Sequence, residues 1–172
     1  MYKVFRNVLS KDEIVEIESQ FRLRCKPEHQ DDEVFNRDKL SLRALKGSSN
    51  QVLKDIMFDA NKTFQLTLFE DDPFEKWNLS TYYSDGFCTS HNDIIEGENW
   101  QRKLTVIVEL SRECNGGELA ISNQDFITNK LSLGLQPGDA VVFPSYVNHS
   151  VSPVIDGKRQ SLTGWMKGPP LV

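Results

Sequence analysis

Three histidines occur in the 172-residue chain, His29, His91 and His149, and two of them stand where a metal could be held. In His91-Asn92-Asp93 the imidazole and the carboxylate are two positions apart, so on an extended backbone both project from one face and can share an ion. His149 lies near the start of a later β-rich run, and an antiparallel barrel can carry it beside that pair. Two imidazoles and a carboxylate on one face of an octahedron leave three positions open, as a non-haem iron(II) centre needs for a bidentate co-substrate plus dioxygen. Alone, His-x-Asp is a weak motif, because two polar residues of a surface loop give the same pattern. Arg159 strengthens it. Ten residues after His149, it begins an apolar-flanked run with Ser161 on its own face, and a planar guanidinium beside a hydroxyl can take a carboxylate. The competing reading of Arg159 is an exposed surface ion pair.

The elements that must position these groups follow from periodicity. Ser10-Lys11-Asp12-Glu13 reads as a capping box, and Ile14, Ile17, Phe21 and Leu23 then repeat at near-helical spacing, which predicts a helix to about Arg24. A second helix is expected over 49–67, where Val52, Leu53, Ile56, Met57, Ala60 and Phe64 form one stripe. Between them, the charge-dense segment 26–39 reads as a loop. From Trp77 onward the pattern changes to short β-rich runs at 77–83, 104–110, 118–121, 140–143, 149–154 and 161–166, separated by turn formers such as Asn115-Gly116-Gly117, Gln136-Pro137-Gly138-Asp139 and Asp156-Gly157. Such spacing suits an antiparallel barrel or two-sheet jelly roll. Helices followed by strands without alternation indicate an α+β fold. We therefore expect one domain over 1–172, with 1–76 a mainly helical support and 77–168 a jelly-roll catalytic core.

Twenty basic residues against 25 acidic ones, a net charge of −5, give no broad basic field for a phosphate backbone or an anionic membrane. Nucleic acid and membrane are disfavoured as partners. The three cysteines, Cys25, Cys88 and Cys114, are widely spaced and odd in number, which suggests reduced thiols rather than a disulfide framework. No apolar stretch follows the N-terminus and none is long enough to span a bilayer, so a soluble, cytoplasmic location is expected.

Taken in order, the tract 102–111, then Gly116-Gly117-Glu118-Leu119, then 135–144 with Pro137-Gly138-Asp139 and Phe143-Pro144, then 149–154 and Gly157-Lys158-Arg159 resemble the prolyl-hydroxylase branch of the 2-oxoglutarate oxygenases, with the bacterial PKHD-type hydroxylases nearest in wording. The resemblance covers about 77–168. It implies a double-stranded β-helix, iron(II) bound by His91, Asp93 and His149, and 2-oxoglutarate and dioxygen as co-substrates, with ascorbate a candidate reductant. In that family the arginine at the place of Arg159 pairs with the distal carboxylate of 2-oxoglutarate. Ser161 fits an Arg-x-Ser pattern of other branches, and Thr163 and Trp165 fall where related hydroxylases line the same pocket. A tyrosine before the His-x-Asp motif helps to hold co-substrate, and Tyr82 and Tyr83 compete for that role. Trp165, Trp100 and Ile107 are candidates to lie near the substrate, and 26–39 and 94–101 to cover it.

One departure stands out. Where many prolyl hydroxylases place a co-substrate-binding tyrosine, this chain has Glu109, and a carboxylate facing a carboxylate repels it or takes up a proton. Either the strand turns Glu109 outward or the pocket is rebuilt around Ser161, Thr163 and a tyrosine. The resemblance implies hydroxylation of a C–H bond, a prolyl residue of a peptide or protein first, with release of succinate and CO2. A free amino acid or other small metabolite is the alternative substrate. A repair-type nucleic-acid demethylase fits less well, because Trp165 stands where that branch has a second arginine. From another class, a non-catalytic jelly-roll binding module would leave His91 and His149 as hydrogen-bonded polar residues.

Overall fold

The computed structural model describes residues 1–94, 100–122 and 130–170. Its elements run β1 (Lys3–Phe5), α1 (Lys11–Arg24), β2 (Glu28–Asp31), β3 (Phe35–Leu42), α2 (Ser48–Phe64), β4 (Trp77–Tyr82), β5 (Phe87–His91), β6 (Arg102–Gly116), β7 (Leu119–Ser122), β8 (Lys130–Ser132), β9 (Ala140–Pro144), β10 (His149–Val151) and β11 (Val154–Lys167). The strands pair antiparallel in the order β1-β9-β6-β11-β4-β3-β5-β10-β7-β8, with β2 beside β3. The sheet curls into the half-barrel of a double-stranded β-helix. Its two layers are a long one centred on β6 and β11 and a short one of β5, β10, β7 and β8.

Two apolar clusters hold this curl. Ile17 and Phe21 of α1 and Leu53 and Met57 of α2 pack on the outer face of the long layer, against Val106, Val108, Val142, Leu162 and Met166. Inside the curl, Ile107, Ile121, Val141, Phe143, Val151 and Val154 form the second cluster. Strand alternation explains the division: even-numbered residues of β6 face the helices, while Thr105, Ile107 and Glu109 face inward. Because both faces are covered, residues 102–110 are buried throughout.

The capping box forms as expected, with the Ser10 amide donating to Glu13 Oε2 at 2.7 Å and the Glu13 amide donating to Ser10 Oγ at 3.3 Å. Leu23, read as part of the stripe, is exposed instead. The larger correction concerns residues 1–76, which are not only helical support but contribute β1, β2 and β3. Segment 26–39, expected as a loop, contains a hairpin whose turn is closed by Asp32 Oδ1 accepting from the amides of Val34 and Phe35 at 2.7 and 2.8 Å. Pairing of β3 with β4 overrides the weak strand propensity of Asn, Arg, Asp and Lys. The Asp156-Gly157 turn is also replaced: β11 runs through it, with Gly157 at φ 81° opposite Cys114. The described helices include none long and apolar enough to cross a membrane.

Candidate metal and co-substrate site

Inside the curl a cavity of about 260 Å³ opens between the two layers. At one end β5 finishes on His91 and β10 starts on His149, and these residues are direct cross-strand partners. Asp93 follows β5 by two residues, its amide donating to the Ser145 carbonyl at 2.9 Å, which draws the chain back toward the histidines. Asp93 Oδ1 lies 3.6 Å from His91 Nε2 and 3.8 Å from His149 Nε2. One donor atom from each residue falls within 4.8 Å of the others, a separation that one ion can bridge.

The supporting contacts fix the donors. Asp93 Oδ2 accepts from Thr105 Oγ1 at 2.7 Å and from Trp165 Nε1 at 3.0 Å, leaving Oδ1 for the histidines. On the imidazole rings, Nδ1 faces the carbonyl of Thr89 at 2.9 Å in His91 and that of Val147 at 3.2 Å in His149, so Nε2 points at Asp93. Orientation of ligands by such outer contacts is a general feature of metal sites. Burial by itself would raise the Asp93 carboxyl, but His149, His91, Thr105 and Trp165 outweigh it and hold the group far below the usual carboxylate range. Burial would likewise lower His91, yet contact with Asp93, the Cys88 thiol and the Thr89 carbonyl pushes it up to about 10. For His149 burial wins, against the pull of Asp93, and its pKa falls. A carboxylate, one readily protonated imidazole and one neutral imidazole make a donor set that exchanges a proton for a divalent cation.

Along the long layer the inward side chains form cross-strand rows. Arg159 of β11 is opposite Tyr82 of β4, Ser161 opposite Ser80, and Thr163 opposite Asn78. On the other flank of β11, Thr163 faces Ile107 and Trp165 faces Thr105 of β6. All four β11 residues, with Tyr82 and Ile107, line the cavity. Arg159 is wholly buried. Glu109 resolves the alternatives left open above in a third way: it points inward and binds Arg159, whose Nε and Nη2 donate to Glu109 Oε2 at 3.2 and 2.7 Å. Arg159 Nη1 and Glu109 Oε1 are both buried without a hydrogen-bond partner. Burial pushes the Glu109 carboxyl upward against the pull of Arg159.

Other candidates fall elsewhere. Tyr83 is half exposed and borders a shallow depression on the outer face of β4, not the cavity, so Tyr82 alone of the two reaches the site; one residue along a strand reverses the side chain. Trp100 is exposed and does not line the cavity, and of the covering segment 94–101 residues 95–99 lie outside the described residues. Trp165 holds Asp93 as well as lining the wall. Two contributions escaped sequence reasoning. Thr105 is a polar inward residue in an apolar run, a period-two signal that could have been read. Arg37, on the unforeseen β3, also lines the cavity, and no signal in its charged segment singles it out.

The chain belongs to the 2OG-Fe(II) oxygenase superfamily, whose family model matches residues 77–167. This is the class of 2-oxoglutarate- and iron(II)-dependent dioxygenases, and the donor set and the buried, partly free guanidinium suit those two groups. Among individual proteins, the chain is 29% identical over 97 residues to a PKHD-type hydroxylase of Psychrobacter sp. strain PRwf-1, a match covering 55% of this chain and 36% of that one. The match thus spans little more than a third of that relative's length. A Pseudomonas putida prolyl-4-hydroxylase superposes with a TM-score of 0.75 at 19% identity, covering 98% of this chain and 92% of the other. A Trichoplax adhaerens prolyl hydroxylase in complex with a hypoxia inducible factor oxygen degradation domain peptide fragment gives 0.69 at 13%, covering 96% and 83%.

Proposed function

We propose that residues 1–172 act as one oxygenase domain that hydroxylates an unactivated C–H bond of its substrate, converting 2-oxoglutarate and dioxygen to succinate and CO2. His91, Asp93 and His149 would hold iron(II), and bound iron supplies the oxidising power for the C–H bond. The remaining work belongs to the chain. Arg159 Nη1, with the hydroxyls of Ser161, Thr163 and Tyr82, binds the distal carboxylate of 2-oxoglutarate. Glu109 keeps the guanidinium in place and limits the charge it can offer. Thr105 and Trp165 hold Asp93, and Ile107 with the rest of the inner apolar cluster keeps water from the buried end of the cavity. The observation that carries this reading is the convergence of the triad and a buried arginine with a free N–H on one cavity.

For the substrate, likeness to prolyl hydroxylases supports a prolyl ring in a peptide or protein, with a free amino acid or other small metabolite as the second reading, favoured by a cavity of only about 260 Å³. The test is succinate release with iron(II) and ascorbate against a panel of proline-containing peptides and free amino acids, with products weighed for the added oxygen. Prolyl peptides heavier by one oxygen support the first reading. Oxygen found only on the free amino acids rejects it in favour of the second, and an iron-loaded protein that turns over 2-oxoglutarate with no panel member rejects both substrate classes.

A further inference from the structure

The cavity wall is strongly cationic for a chain of net charge −5. Arg37, Lys39, Lys76, Arg102 and Arg159 line it, and among the described residues Asp93 is the one carboxylate that does. Two of the five cations are neutralised locally: Arg159 by Glu109 at 2.7 Å and Arg102 by Glu75 at 2.6 Å. Lys39 pairs with the well-exposed Glu28 at 3.4 Å, a contact that solvent screens.

Arg37 is different. It is partly buried, and among the described residues its guanidinium bonds only to neutral atoms: Nε to Gln30 Oε1 at 2.9 Å, and Nη1 to Ser80 Oγ at 3.1 Å and Tyr82 Oη at 3.3 Å. Phe35 stacks beneath it, with Cζ 4.1 Å from the ring centroid. Among the described residues no carboxylate approaches Arg37 or Lys76 to salt-bridge distance. A guanidinium held rigid by neutral partners and an aromatic ring, without its own counter-charge, is arranged to receive an anion from outside the chain. The rows of the sheet place it. Tyr82 stands between Arg159 on one side and Arg37 on the other, Lys39 continues the wall one row along opposite Ser80, and Lys76 lies just before the start of β4.

The geometry points to a substrate that carries a carboxylate, received by Arg37 on the β3 side of Tyr82, with Lys39 and Lys76 supplying a positive field along the same wall. This rests on the oxygenase reading above, and it favours a small acid or an acidic chain end over an uncharged stretch of polypeptide. It also separates the two cationic tasks in the cavity: Arg159, already half spent on Glu109, takes the co-substrate, and Arg37 takes the substrate.

The experiment is anaerobic calorimetry on the full chain loaded with iron(II) and saturated with 2-oxoglutarate. The titrants are matched pairs, N-acetylproline and other N-acetyl amino acids as free acids, each against its uncharged amide. At least one acid should bind about tenfold or more tightly than its amide, and Arg37→Gln should erase that difference. Lys76→Gln, a milder change away from the hydrogen-bonded row, should reduce the acid's affinity about threefold. Acids no tighter than their amides, or an acid preference that survives in Arg37→Gln, would overturn the inference. The absorption band of iron(II) with 2-oxoglutarate provides the separate readout. A tenfold loss of 2-oxoglutarate affinity in Arg37→Gln would assign the guanidinium to the co-substrate and overturn the substrate assignment. A band absent from the unaltered protein would remove the oxygenase reading itself, whatever the acids do.

Discussion

Asp93 has one oxygen for the two histidines and one for Thr105 and Trp165, and that division of labour has a measurable consequence. Thr105→Val keeps the shape and removes the hydroxyl, so Asp93 Oδ2 loses its shorter bond and the carboxylate can rotate. Metal affinity should fall about tenfold or more, read by competition with a chelating dye, while the melting temperature of the metal-free protein stays within a few degrees. Equal affinity in the two proteins would show that Thr105 does not orient Asp93. Most of this site could be found from residue types. His91 and Asp93 announced themselves by spacing, and His149 and Arg159 by their place in a fixed order of motifs. The Arg159–Glu109 pair could not be found that way, because which residue of β11 meets residue 109 depends on the register of β6 against β11, and that pairing shifts by one residue between Gln160 and Ser161.

At the scale of elements, the turn before β9 ties the N-terminal strand to the jelly roll. Asp139, almost wholly buried, accepts from the amides of Asn7 at 2.9 Å and Gln136 at 3.0 Å and from Arg6 at 2.7 Å. Burial would raise its carboxyl, but the two amides and then Arg6 outweigh it and lower the pKa. A depressed folded-state pKa gives stability that is present above the unfolded value, near 4, and lost as pH falls through the folded one. Asp139→Asn should therefore cost about 1–2 kcal/mol at neutral pH and less at pH 3, seen in urea unfolding at both pH values. An equal loss at both would mean that the charge is not what matters. The helices were legible here, since both rest on stripes that bury Ile17, Phe21, Leu53 and Met57. The hairpin of β2 and β3 was not: its residues are charged and its partner β4 lies tens of positions away, so no local pattern encodes the pairing.

Considered whole, the molecule carries its catalytic candidates in a C-terminal jelly roll and borrows an inner wall from its N-terminal third. Family likeness spans 77–167, yet Arg37 and Lys39 reach the same cavity from β3. With a net charge of −5, the chain as a whole repels polyanions, whatever the local charge of the cavity. Everything proposed for the cavity depends on its binding iron(II) and 2-oxoglutarate together. The decisive measurement is an anaerobic titration of the metal-free protein with iron(II) and then 2-oxoglutarate, followed by visible absorption. A charge-transfer band should appear that saturates at one equivalent of iron, requires both additions, and is lost in His91→Ala and His149→Ala. A protein that develops no band, or whose His91→Ala variant develops the same one, would contradict the proposed iron site.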